Sequence, residues 1–280
     1  MARHHIDFLQ AQKISWTPDP LGAERPNVQA KLLGVDPQSG DMTAIIRYPA
    51  GWETGPERLS ADEEVFVLDG AVEIGDLELT RDCYAYWPRG MQRKQIRSGT
   101  GADVLTFFSG NGEAIRRLAD SKGPMTAEPI MRINIREGSW TADVEAMGLS
   151  SMASSARIRT LRSDEKKGEI TYISAAIPYW RESQPERHPV AQEFFVLSGE
   201  IAGPTGLLRP GAYVWRPAQA VHGPYGSLTG AVMLFRSTGG KFATTLLDPA
   251  PFSFTPEHKP IAPEELRHAA SGYAAQIQRY

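Results

Sequence analysis

The stretch PERLSADEEVFVLDG at residues 56–70 returns without a gap as PERHPVAQEFFVLSG at residues 185–199. The same offset of 129 carries Pro88 onto Pro217, and SGTGA at 98–102 onto SLTGA at 227–231. On that ruler His188 falls on Leu59 and His222 falls on Arg93. A tandem repeat places the architecture in what the copies share and the chemistry where they differ.

Working outward, Gly40-Asp-Met-Thr answers Gly168-Glu-Ile-Thr at an offset of 128, and Trp16-Thr17 answers Trp140-Thr141 at 124. One unit thus spans about 16–109 and the other about 140–237, which predicts domains at 1–125 and 126–280. Residues 171–177 (TYISAAI), 193–197 (EFFVL) and 231–235 (AVMLF) are β-branched or aromatic runs of strand length, bounded by Gly, Pro, Asp and Ser. With 26 glycines, 21 prolines and no long amphipathic crossover, the expected class is all-β, a sandwich or barrel in each unit. Two short helices are expected, one at 112–119 and one from Pro263 with Leu266, Ala270, Tyr273 and Ile277 along one face. The second offers a face for packing on its barrel or for a homodimer contact.

The bulk properties narrow the function classes. At 280 residues there is room for two cores, and 41% hydrophobic with 22% charged residues describes a globular chain. A net charge of −3 gives no basic footprint for nucleic acid. No segment approaches the roughly 20 apolar residues of a membrane helix, and the first residues lack the apolar core of a signal peptide. Cys83 is the only cysteine, so no disulfide framework exists and a reducing, cytoplasmic setting is expected.

Of six histidines, His4, His5, His258 and His268 lie in the terminal segments, and only His188 and His222 fall inside the repeat units. Glu186 and His188 are two apart, so an extended strand turns both to one face. A return strand from Gly211 brings His222 towards them. Two imidazoles with one or two carboxylates form a ligand set for a divalent first-row metal with open positions.

These residues resemble a family. The second unit is similar to the cupins, whose first motif is G-x5-H-x-H-x3-4-E-x6-G and whose second is G-x5-P-x-G-x2-H-x3-N. The first reads here Glu186-Arg-His188 through Glu193 to Gly199, and the second Gly211 through Pro217 to His222. The resemblance implies two tandem jelly-roll barrels, a bicupin of the group related to ChrR-type anti-sigma factors. It implies metal binding by His188, Glu193 and His222. Glu186 stands where a first histidine is expected, as a fourth ligand or as a nearby general base. Gln219-Ala220 replaces the glycine step of the second motif. Iron(II) is the favoured ion, with zinc, manganese or nickel as alternatives. The implied function is a metal-dependent enzyme on a small organic substrate, foremost a dioxygenase. A non-redox isomerase, hydrolase or lyase is the alternative, and a ligand-holding sensor is a reading of another class.

The first unit has Glu57, Leu59, Glu64 and Arg93 at the matching places and is expected to be architectural, without metal. There Arg93 either replaces the metal charge by pairing with Glu64 or Glu57, or turns to solvent beside Arg89 and Lys94. Tyr179, Trp180, Phe195, Tyr213, Trp215 and Phe235 are candidate pocket walls in the second unit. Phe195 and Leu197 share the parity of Glu193 and are expected to face inward.

Overall fold

A computed structural model describes residues 3–18, 25–110, 115, 117–118, 125, 127–141, 156–273 and 280. It resolves into two compact units, one of Met1–Arg3 with Ser15–Glu137 and one of His4–Ile14 with Gly138–Tyr280. The sequence placed the boundary at 125/126. The structure moves it to 137/138 because Ile130–Asn134 adds a strand to the first unit beside Cys83–Trp87. The second unit also recruits the beginning of the chain, where Ile6–Gln10 pairs with the edge strand Ala212–Arg216.

Each unit is built of antiparallel strands at matching positions. In the first, the main sheet runs in the order Cys83–Trp87, Asp62–Ile74, Ala102–Ser109, Met42–Tyr48, Gln29–Val35. In the second, Ala212–Arg216, Ala191–Gly199, Ala231–Thr238, Glu169–Ala176 and Ala156–Asp164 follow in the same order. A second layer closes each barrel. Trp52–Thr54 pairs with Ile96–Ser98 in the first unit, and Trp180–Arg181 with Gly226–Ser227 in the second.

The shared residues explain the shared path. Gly70 and Gly199 both sit at φ +72°, and a Cβ at either would lie 2.0 Å from the carbonyl oxygen of Gly101 or Gly230. Only glycine fits that crossing of the long strand and its neighbour. Alternation then sorts the side chains. Val65 and Val67 join the first core, and Phe194 and Val196, their counterparts at an offset of 129, join the second. The strand register skips one residue at Leu68 and at Leu197, the same bulge in both copies.

Helix is scarce. The expected segment at 112–119 lies largely outside the described residues, and within it Arg117 bridges to Leu59. The C-terminal segment forms a 3-10 turn, Glu264–Leu266, and one helical turn, Arg267–Ala270; residues 274–279 lie outside the described set. No helix among the described residues is long and apolar enough to cross a membrane.

Candidate metal centre

Backbone pairing sets the first two residues of the site. Glu186, on the short strand Glu186–Arg187, exchanges both hydrogen bonds with His222. Its N–H donates to the His222 carbonyl at 2.8 Å, and its carbonyl accepts from the His222 N–H at 3.0 Å. His188 follows two residues later on the same face, and its carbonyl accepts from the Gln219 N–H at 2.7 Å. Gln219 stands where the motif has glycine and still adopts φ +67°, close to the φ +80° of its counterpart Gly90. The loop geometry therefore survives the substitution, with the strain that a left-handed non-glycine residue carries.

The imidazoles are oriented from behind. The Nδ1–H of His188 donates to the Ala243 carbonyl at 3.0 Å, and that of His222 to the Ala220 carbonyl at 2.9 Å. Each bond fixes the tautomer and leaves Nε2 with a free lone pair. The two Nε2 atoms lie 3.5 and 3.4 Å from the same oxygen, Glu186 Oε1. All three residues are buried. Glu186 Oε2 and both Nε2 atoms have no hydrogen-bond partner. Ligand atoms of Glu186, His188 and His222 all lie within 4.8 Å of one another, the only such group of His, Cys, Asp and Glu among the described residues.

Burial alone would raise the Glu186 carboxyl, but the two imidazoles facing it override that and hold the group well below the usual carboxylate range. Burial, and then the positive charge of Arg216, lower His222. With each Nδ1 already engaged by a carbonyl, two Nε2 atoms and one carboxylate converge as a donor set that a divalent cation would satisfy. The residues present fit a divalent metal.

Glu193 does not join them. Its carboxylate accepts from the Tyr213 hydroxyl at 2.6 Å and from Arg236 Nη1 at 3.0 Å. Strand parity is the reason. Gln192 and Phe194 line the inner cavity, so Glu193 and Phe195 turn to the opposite face. The spacing carried the signal: counting H-x3 forward from His188, or x6 back from Gly199, arrives at Gln192. Leu197, expected to point inward, sits half-buried in the bulge.

The inner cavity is walled by Trp180 and Phe235 as expected, and also by Tyr172, Phe194, Ile201, Tyr225 and Met233. Tyr172 stacks on Phe235 with ring centroids 5.0 Å apart. Tyr179 is instead 79% exposed, Tyr213 serves Glu193, and Trp215 is the cross-strand partner of Glu193 rather than a wall. The polar lining holds two groups that sequence reading missed. Glu182 accepts from the Tyr225 N–H at 2.9 Å, and burial together with the charge of Glu186 raises its carboxyl well above the ordinary range. Arg216 is buried beside it.

In the first unit the same framework carries arginines. Glu57 and Arg93 exchange backbone hydrogen bonds at 3.3 and 2.8 Å, as Glu186 and His222 do. Arg93 Nη1 donates to Glu57 at 2.9 Å and also to Glu63. Arg25 donates to Glu57 at 2.6 Å, to Glu63 at 2.7 and 2.8 Å and to the Tyr48 hydroxyl at 2.7 Å. Arg93 thus pairs with Glu57 but not with Glu64, whose carboxylate accepts from Tyr84 at 2.6 Å as Glu193 does from Tyr213. Arg25 lies outside the matched motif, and nothing in the repeat pointed to it. Leu59 is fully buried at the His188 position.

Among solved structures, the chain is similar to a candidate dioxygenase from Nostoc punctiforme PCC 73102, at 17% identity over 90% of this chain and 92% of that one, with a TM-score of 0.77. It is also similar to a mutant salicylate 1,2-dioxygenase of Pseudoaminobacter salicylatoxidans in complex with gentisate (12% identity, 80% and 78% covered, TM-score 0.56). A mutant form of Bacillus subtilis oxalate decarboxylase OxdC gives 12% identity, 88% and 79% coverage and a TM-score of 0.56. At such identities the likeness establishes the fold, that of the cupins. No curated protein matches the chain. The sequence profile of DUF4437, a domain of unknown function, matches residues 7–245, and the chain belongs to that family.

Proposed function

We propose that the second unit is a metal-dependent enzyme acting on a small organic molecule, with oxygenation as the leading reaction. One observation carries this reading: three buried atoms, His188 Nε2, His222 Nε2 and Glu186 Oε2, have no hydrogen-bond partner, and ligand atoms of the three residues lie within 4.8 Å of one another. His188, His222 and Glu186 would hold the ion, and Gln192 would add a neutral amide oxygen from the inner face. A bound divalent ion would supply Lewis acidity and, as iron(II), electrons for dioxygen chemistry.

The chain's own residues do the remainder. Phe194, Met233 and the stacked Tyr172–Phe235 pair keep water from the polar end. Ala243 and Ala220 hold the imidazoles in the tautomer that binds. Glu182 keeps a proton on a carboxyl that lines the cavity. That proton favours the second reading, a lyase, isomerase or hydrolase, because such reactions need a general acid beside the Lewis acid.

Metal analysis of tag-free protein tests the first step. About one equivalent per chain is expected after reconstitution, and a content far below that sinks the reading. Oxygen uptake with iron(II) and a panel of small carbonyl and phenolic compounds separates the two reactions. Turnover that persists without oxygen selects the non-redox one.

A further inference from the structure

The polar end of the cavity holds a cation that the metal cluster does not use. Arg216 is 2% exposed and lines the same cavity as Glu186 and His222. A guanidinium has five N–H donors in one plane. Nε and Nη2 donate to the two oxygens of Asp7, each at 2.9 Å, and Nη2 also donates to the Tyr225 hydroxyl. That accounts for three. The two donors on Nη1 have no hydrogen-bond partner among the described residues, and Arg216 lines the cavity.

The internal repeat singles out the same position. The counterpart of Arg216 is Trp87, which packs its ring on Arg93 at 4.8 Å and offers no cation. Arg216 is therefore a further place, beside His188, Gln192 and His222, where the second copy departs from the first inside the barrel.

We infer that this cavity takes a small organic carboxylate, with its charged group on Nη1 of Arg216 and its carbon skeleton against Phe194, Ile201, Met233 and Phe235. The inference deepens the proposed function and rests on it, since without the ion the cavity keeps the negative charge of Glu186. Asp7 is a positioning residue here. It reaches Arg216 from the Ile6–Gln10 strand and fixes the plane of the guanidinium from one edge, leaving the other for the ligand.

Calorimetric titration of zinc-loaded protein with benzoate and with its neutral isostere benzamide tests this. Benzoate is expected to bind at least about tenfold more tightly, a preference typical of a charge-assisted pair in a dry site. In Arg216→Gln, and in the double variant Asp7→Asn with Arg216→Gln that removes both charges together, the preference should vanish while zinc uptake remains. Equal affinity for the two probes in the wild-type protein overturns the inference and needs no variant. A benzoate preference that survives both substitutions also overturns it, because the carboxylate is then held by zinc and Arg216 only ties down the first strand. Zinc uptake without anion preference sinks this inference alone, whereas no zinc uptake sinks the metal reading with it.

Discussion

Glu57 and Glu186 hold one position in two copies of a unit, and they are kept ionised by different partners. Around Glu57 the chain supplies its own cations, Arg25 and Arg93, and the charges close on themselves. Around Glu186 it supplies imidazole nitrogens, and on the proposed reading the cation comes from outside. The backbone bridge is the same in both, 57 with 93 and 186 with 222. The difference teaches that one cradle serves as a permanent structural knot or as an exchangeable site, and that the residue across the bridge decides which.

The largest break in this comparison should come from Arg93→Ala. Removing one member leaves Glu57 and Glu63 buried with Arg25 and the more distant Arg117, at a cost of about 3–5 kcal/mol, read by urea denaturation. Zinc uptake by the second unit should not change in the folded fraction. His222→Ala makes the opposite break. At zinc concentrations about 100-fold above Kd the wild-type protein gains about 2.7 kcal/mol, and this variant should gain almost none in a thermal scan with and without zinc. An unchanged gain would remove His222 from the site.

A smaller effect sharpens the assignment of faces. Glu193→Gln and Glu64→Gln each weaken a matched tyrosine bond and should each cost about 2 kcal/mol, with zinc stoichiometry intact. Gln192→Ala should instead weaken zinc binding about tenfold with little change in metal-free stability. The reverse pattern would put Glu193 back among the ligands.

The smallest effect is a difference in slope with pH in the metal-free protein. Burial would raise Glu57, but Arg25 and Arg93 hold it below its ordinary value of 4.5. Its contribution is present above that value and is lost as the pH falls through the folded one. Glu182 is raised, by burial first and then by Glu186. It binds a proton in the folded state that the unfolded chain releases above about 4.5, so it lowers stability as the pH rises. Glu182→Gln should flatten the decline that sets in above about pH 4.5, by at most about 1.4 kcal/mol per pH unit. Glu57→Gln should flatten the acid arm. Identical slopes in wild type and both variants would contradict the two assignments.

Much of this was legible in the sequence because it is local or repeated. The offset of 129 places the strands, the glycine pair 70 and 199, and the contrast of Leu59 with His188 and Arg93 with His222. What escaped needed either a single-residue count or a distant partner. Gln192 and Glu193 are adjacent, and a shift of one in an extended chain exchanges the faces. Arg25 reaches Glu57 and Glu63 across 32 and 38 positions, from a segment with no strand pattern. Asp7 and Arg216 are 209 positions apart, and neither is unusual in its own neighbourhood.

That last separation has a consequence for biosynthesis. The strand Ile6–Gln10 is synthesised well before its partner, the strand ending at Arg216. At about 5–20 residues per second, roughly 10–40 s pass between Asp7 and Arg216, and the whole of Ser15–Glu137 emerges in between. Until then the nascent chain carries an orphan apolar segment, with Ile6, Phe8 and Leu9 all destined for burial. This strand is made before the first barrel and placed only after it, and the cavity acquires its anchored arginine once both partners have been translated.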